Sequence, residues 1–237
     1  GFSSNNCVLT AAAMVHSKVC NYAVVYRAMN GRSGFRIGRL GNIPGQRPLA
    51  KGGSQFTAPF GIGTPPHGFA MKARAHMEKY GTTTEQLGWV AVTTRYHASM
   101  NENAQMREPI TLEDHQLSRW VVEPFHLLDC CLDTDQGCAV IVTTADRAKA
   151  LKHNPVYIMG GAVGTGPMAG HGDMYPDLTE LYGKYTAPKV FEMAGVTPGD
   201  IDAVEFYDCF TSIPIIQLED FGFVKKGEGG PFVEGGG

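Results

Sequence analysis

Apolar positions along this chain follow two periods. Residues 8–17 are Ala-rich and apolar all round, which predicts a buried helix, and 22–28 (YAVVYRA) form a β-branched and aromatic run that predicts a buried strand. Residues 30–66 concentrate Gly and Pro among arginines, too long for a simple connection, and read as a functional loop or an excursion covering a ligand. A helix is predicted over 67–80, ending at Gly81. Thr82 and Thr83 then precede Glu85 and Gln86 at the spacing of a capping box and open a second helix to about His97. Residues 101–109 are turn-like, and Thr111 starts another short helix. Residues 135–137 predict a turn before an apolar strand over 138–143, followed by a short helix over 145–151 and a buried strand over 156–159. Glycine is again dense over 160–176. A helical pattern over 178–194 is interrupted by Pro188, placed as the opening of a new helix, and ends at Gly195. A strand over 201–207 and a helix over 211–223, with Pro214 in its first turn, complete the pattern.

Strands alternating with helices imply a layered α/β architecture with much of the sheet covered on both faces. The 237 residues, 43% hydrophobic and 18% charged, are enough to bury a core and exclude compositional disorder. No run approaches the roughly 18 apolar residues of a membrane span, and no basic-then-apolar leader opens the sequence. Six cysteines lie mostly in apolar runs without zinc-ligand spacing, as reduced thiols in a cytoplasmic compartment do. The net charge of −3 conceals an asymmetry. Residues 1–77 carry nine Lys or Arg and no acid, leaving 11 cations and 23 acids downstream. Such a segment is either a site for an anionic ligand, phosphate above all, or an ordinary solvated face. It lacks regularly spaced aromatic platforms and is tied to an apolar helix and strand, which argues against nucleic acid.

Tyr207 closes the last predicted strand, where ligands bind in covered α/β sheets. It is either an acid/base group or a ring capping the core. A phenol's ordinary pKa near 10 makes it a base only beside a cation or stabilising hydrogen bonds. Asp208 either orients that site or caps the next helix. Cys209 is a nucleophile at a helix start or, flanked by Phe206 and Phe210, a packing residue. Cys130 and Cys131 read as small core residues in an apolar strand, and Cys7, among asparagines at a helix start, as a candidate activated thiol. His97 either complements a helix dipole or faces an acyl or phosphate group, and His171 lies in a Gly-rich loop. The glycines of 160–166 lack the Gly-Lys-Ser/Thr ending of a nucleotide-hydrolysing loop.

Four segments carry a family resemblance: 129–139 (DCCLDTDQGCA), 187–196 (APKVFEMAGV), 200–210 (DIDAVEFYDCF) and 95–101 (RYHASMN). Together they resemble the thiolase superfamily of the sterol-carrier-protein, or lipid-transfer, type, over nearly the whole chain. The chain departs from that pattern where it matters. Thiolases of the family carry His-Asp-Cys-Phe, and here Tyr207 stands in the place of that His. Counting back from the strand at 22–28 puts the family's nucleophilic cysteine at about Gly1 or before it, so Cys7 falls too late, and the carboxy-terminal Gly-His-Pro block is missing. Tyr207 together with 26–34 (YRAMNGRSG) is similar to the actinobacterial branch of steroid side-chain-cleaving aldolases.

That resemblance implies a thiolase-like layered αβαβα fold, cut at both ends. Residues 1–153 would be the remainder of the N-terminal half, with a loop excursion over about 30–125, and 154–237 the start of the C-terminal half. It implies retro-aldol cleavage of a β-hydroxyacyl-CoA steroid side chain to a steroid ketone and a short acyl-CoA such as propionyl-CoA. This chemistry needs a proton taken from the β-hydroxyl and an enolate stabilised at the thioester oxygen, but no acyl-enzyme, so the cysteine becomes dispensable. Tyr207 is then the acid/base and Asp208 its support. His97, Cys209, Arg27 and Arg32 are substrate-binding candidates, and a second acid/base would lie beyond Gly237. Thiolytic acyl transfer and non-catalytic lipid or acyl-CoA binding are the competing readings. No bound cofactor or metal is expected, coenzyme A being part of the substrate. A homodimer, joined by a small OB-fold partner with a zinc ribbon, is the expected assembly.

Overall fold

The computed structural model describes residues 4–34, 54–164 and 176–236, and besides the elements named below it contains the short α2 (Ser54–Thr57), β2 (Trp120–Val122), β3 (Phe125–His126) and α6 (Ala145–Lys149). Helices begin where the capping residues lie. Helix α3 (Pro65–Tyr80) starts after Thr64 and ends on Gly81, whose φ of 78° is the left-handed conformation that glycine adopts freely. Helix α4 (Thr84–Met100) is capped by Thr83. The Thr83 hydroxyl accepts from the Gln86 N–H while the Gln86 side chain accepts from the Thr83 N–H. Thr111 caps α5 (Leu112–Leu117) in the same reciprocal way with Asp114. Helix α7 (Gly183–Ala194) differs from expectation, because Pro188 lies inside it and does not open a new helix.

The strands depart further. Helix α1 (Ser4–His16) packs along β1 (Tyr22–Asn30), which pairs antiparallel with β4 (Asp135–Thr143), Tyr22 opposite Thr143 and Asn30 opposite Asp135. The expected turn at 135–137 is therefore part of a strand. Neither strand is buried as expected. Tyr26 is 77% exposed and Ile141 66%, because among the described residues this ribbon has two strands and α1 as its helical neighbour. The expected strands over 156–159 and 201–207 do not form. Apolar alternation makes a strand only where a neighbouring edge takes up its N–H and C=O groups, and neither segment has one among the described residues. Gly160 and Gly161 serve packing. A Cβ on the first would come within 2.8 Å of the Val190 carbonyl, and on the second within 2.3 Å of Leu9. The expected Gly-rich segment 160–176 is described only to Gly164, and His171 lies outside the described residues.

The core forms around α8 (Ser212–Asp220). Ile213, Ile215 and Ile216 are fully buried against Ala70 and Ala73 of α3, Leu87 of α4, Phe125 and Phe210. Phe210 stacks on Phe125 at 5.0 Å and meets Phe69 at 5.1 Å. Burial on several sides obliges α8's polar groups to find protein partners. The Glu219 carboxylate accepts from His76 (2.9 Å), from the Gly229 N–H (3.0 Å) and from Lys226 (3.1 Å), while Lys226 also holds Asp220 at 3.0 Å. Burial alone would raise Glu219, but the His76 hydrogen bond and the charges of His76 and Lys226 hold its carboxyl below the ordinary range. At Asp220 burial prevails over Lys226, and its pKa is raised.

The two carboxylates therefore contribute with opposite signs. Stability from Glu219 is complete above its unfolded pKa of about 4.3 and is lost as pH falls through its folded value, whereas protonation relieves Asp220. Lys226→Met is expected to cost about 2–3 kcal/mol at pH 7 and less near pH 4, where Asp220 takes up a proton. Urea midpoints at the two pH values check this, and an equal loss at both would refute it.

Candidate active site

The segment carrying Tyr207 is set by a short antiparallel pairing between two non-adjacent stretches. Cys130 lies opposite Phe210, the Cys131 N–H donates to the Cys209 carbonyl (3.1 Å), and the Thr211 N–H donates to the Asp129 carbonyl (3.1 Å). Side chains alternate across such a pairing, so Cys131, Cys209 and Tyr207 share one side and Phe210 turns to the core. Immediately downstream, Thr211 is the cap position of α8. Asp208 is exposed and does not cap that helix, correcting the capping alternative.

Asp129 fastens this pairing from beneath. Its side chain is fully buried. One carboxylate oxygen accepts from His115 Nε2 (2.8 Å) and, in a short hydrogen bond, from the Thr211 hydroxyl; the other accepts from the His126 N–H (2.7 Å). His115 brings in α5, and the His126 ring, donating to the Ser118 carbonyl, lies 5.3 Å from the His115 ring. Sequence reasoning missed this cluster. Its one trace is the short spacing of His115, His126 and Asp129, which says nothing of Thr211, 82 residues beyond Asp129.

Tyr207 is 64% exposed, so it is not a ring sealed in the core. Burial at its hydroxyl end, with the charges of Cys209 and Cys131, pushes its pKa up to about 12, while Arg27 pulls the other way. At neutral pH the group is a protonated phenol, suited to donate. Cys209 is 4% exposed, and burial pushes its thiol up to about 12, so packing is its role and nucleophilic attack is opposed. Cys131 is exposed, not the core strand residue expected, and burial of its sulfur with the charges of Asp208 and Asp133 raises it too. Cys7 is exposed in the first turns of α1.

The substrate-binding candidates divide. Arg27, on β1, is near enough to act on the Tyr207 hydroxyl, and its guanidinium reaches Met29 Sδ at 2.9 Å. Arg32 is held further along, its N–H and that of Ser33 donating to one Asp135 oxygen at 2.8 and 3.0 Å. His97 is exposed in the last turn of α4 against Tyr96, the dipole-complementing position, with no contact to the Tyr207 segment. The acid-free basic segment does not form one face. Lys72 is buried, donating to the Glu180 carbonyl (3.2 Å), and Arg74 pairs with Glu78. Arg36, Arg39, Arg47 and Lys51 lie outside the described residues. Also among the described residues, no cluster of His, Cys, Asp and Glu fits a metal ion, and no helix is long and apolar enough to cross a membrane.

Residues 165–237 match the family described as thiolase C-terminal domain-like. Over 97% of its length the chain is 40% identical to a protein of Thermomonospora curvata named steroid side-chain-cleaving aldolase. It is 39% identical, over 95% of its length, to the 17-hydroxy-3-oxo-4-pregnene-20-carboxyl-CoA lyase of Mycobacterium tuberculosis. The chain spans 60% of each of these relatives. Its backbone superposes on a solved Ltp2-ChsH2(DUF35) aldolase with a TM-score of 0.85 at 38% identity, covering 97% of this chain and 59% of that one.

The Asp129 cluster predicts a ranking. Asp129→Asn keeps the shape but turns an amide toward one of three donors and should cost about 2–4 kcal/mol, whereas Thr211→Val removes a single hydroxyl and should cost about 1 kcal/mol. Denaturant unfolding of both variants measures the order, and the reverse order would show that Asp129 does not hold the site together.

Proposed function

Since this chain belongs to the thiolase superfamily and has the thiolase-like fold, we propose that it is the larger part of an aldolase that cleaves a steroid side chain from a β-hydroxyacyl-CoA. The observation that carries this reading is Tyr207, a protonated and largely exposed phenol in the place of the thiolase imidazole. Relatives named for that reaction align with nearly all of the chain.

The steps follow from the chemistry of a retro-aldol cleavage. A base takes the proton from the β-hydroxyl, the bond between the α and β carbons breaks, and its electron pair moves into the thioester as an enolate while the β carbon becomes a ketone. Protonation at the α carbon releases the short acyl-CoA. An enolate needs a proton donor and hydrogen bonds at its oxygen, not a nucleophile. Tyr207 serves as that donor, because its raised pKa keeps the proton on the ring until a stronger base forms beside it. Arg27 supports it by favouring the phenolate left after transfer. Asp208 is exposed beside it and adds negative charge to the site.

Coenzyme A takes part as the carrier portion of the substrate, and no cofactor bound by this chain is needed. The assembly proposed is a homodimer with an OB-fold partner; the name of the solved relative, Ltp2-ChsH2(DUF35) aldolase, supports a partner protein. A cytoplasmic setting follows from an acyl-CoA substrate.

Incubating the full-length protein with a β-hydroxy steroid acyl-CoA, with and without free CoA, tests the reaction. Release of ketone and short acyl-CoA without added CoA is expected; a strict requirement for free CoA would mean thiolysis, and tight binding without turnover a carrier. Tyr207→Phe should reduce cleavage by at least about 10²-fold with the unfolding midpoint nearly unchanged, since the ring as a whole is largely exposed. Near-normal turnover would reject its role.

A further inference from the structure

Tyr207 stands at the end of a segment that lacks the usual means of holding a backbone still. Residues 201–207 pair with no strand among the described residues, and Tyr207 itself is 64% exposed. Its carbonyl nevertheless has a specific partner. Gln217, one of the most buried residues in the chain at 0% exposure, donates from Nε2 to the Tyr207 carbonyl at 2.7 Å and to the Ile213 carbonyl at 3.3 Å. Its Oε1 accepts from the Tyr182 hydroxyl at 2.9 Å. Both donor positions of the amide and its oxygen are thus engaged, and Tyr182 in turn flanks α7.

Stability alone does not explain the amide. It occupies α8 beside Ile213 and Ile216, where a leucine of similar volume would avoid burying a polar group. What the amide does is tie the main chain of Tyr207 to the buried helix α8, while Asp129 fixes the residues that follow through Thr211. We infer that Gln217, held in orientation by Tyr182, is a positioning residue that sets where the Tyr207 hydroxyl meets the substrate. The inference rests on the role proposed for Tyr207. A loosened anchor lets the phenol stray by about an ångström, which at a reacting centre is worth about 10²-fold.

Steady-state kinetics with the full-length protein, with the folded fraction of each variant measured by circular dichroism and thermal unfolding, test it. Gln217→Leu should lower kcat per folded molecule by about 10- to 100-fold and leave KM within about threefold, because substrate contacts are untouched while the proton donor is misplaced. Tyr182→Phe keeps the amide but frees its oxygen, and should lower kcat by about 3- to 10-fold, again without a change in KM. A purely structural role would lower the melting temperature and leave kcat per folded molecule alone, and that result overturns the inference. If Gln217→Leu does not fold, a wild-type kcat for folded Tyr182→Phe overturns it equally. Tyr207→Phe separates the two levels. When it is inactive and Gln217→Leu fully active, the positioning role alone fails; when it is itself active, the reading of Tyr207 has failed.

Discussion

The structure depends on burying α8 while it still carries polar side chains. A helix enclosed by α3, α4, Phe125 and Val233 cannot leave Gln217, Glu219 and Asp220 to water, so each must find its partner inside the protein. Two partners come from far along the chain, His76 for Glu219 and Tyr182 for Gln217, and two from within ten residues, Tyr207 for Gln217 and Lys226 for both acids. Satisfying the helix therefore fixes the segments that surround it. The residues entering α8 are fixed at the same time, because Thr211 is bound to Asp129 through both main chain and hydroxyl. The exposed phenol thus inherits its place from the most buried part of the molecule.

How much of this was legible in the sequence follows from the range of each interaction. Caps are local, and Thr83 with Gln86, Thr111 with Asp114, and Gly81 all act where their spacing put them. Tyr207 and Cys209 could be singled out because the pattern around them is contiguous. Strands were less legible, since β1 is a strand only by virtue of β4 more than a hundred residues later, and residues 156–159 and 201–207 have the apolar content without such a neighbour. The turn expected at 135–137 failed for the same reason: Gly137 lies opposite Ala28 in the ladder, and pairing overrides turn propensity. Gln217 gave no signal, because a glutamine among isoleucines looks like an interruption of a core face until its partners are known. The aspartate at 129 was part of a recognised motif, yet its bond to Thr211 joins residues that no periodicity relates.

Electrostatics around Tyr207 also limit the chemistry this site can perform. A thiolase imidazole exchanges protons readily near neutrality, whereas this phenol, pushed up to about 12, holds its proton until something more basic appears. An enolate is such a base; a resting thiol or alcohol is not. Cys209, pushed up to about 12 by burial, is likewise held as a thiol and adds no nucleophile beside the phenol. In the reading proposed for Tyr207, exchanging imidazole for phenol suits the group to quenching a carbanion.

The same argument explains why the anchoring has to be polar. A general acid of high pKa gains its rate advantage only when its hydrogen lies along the path to the carbon that receives it, since proton transfer falls off steeply with distance and angle. Hydrophobic packing would hold Phe210 but places little constraint on a ring that is mostly in solvent. Directional bonds supply that constraint, from Gln217 at the Tyr207 carbonyl and from Asp129 through Thr211 four residues on. The largely exposed ring can then be approached by a bulky substrate while its main chain is tied to the buried helix α8. Exposure for access and burial for precision are thereby assigned to different atoms of the same short segment.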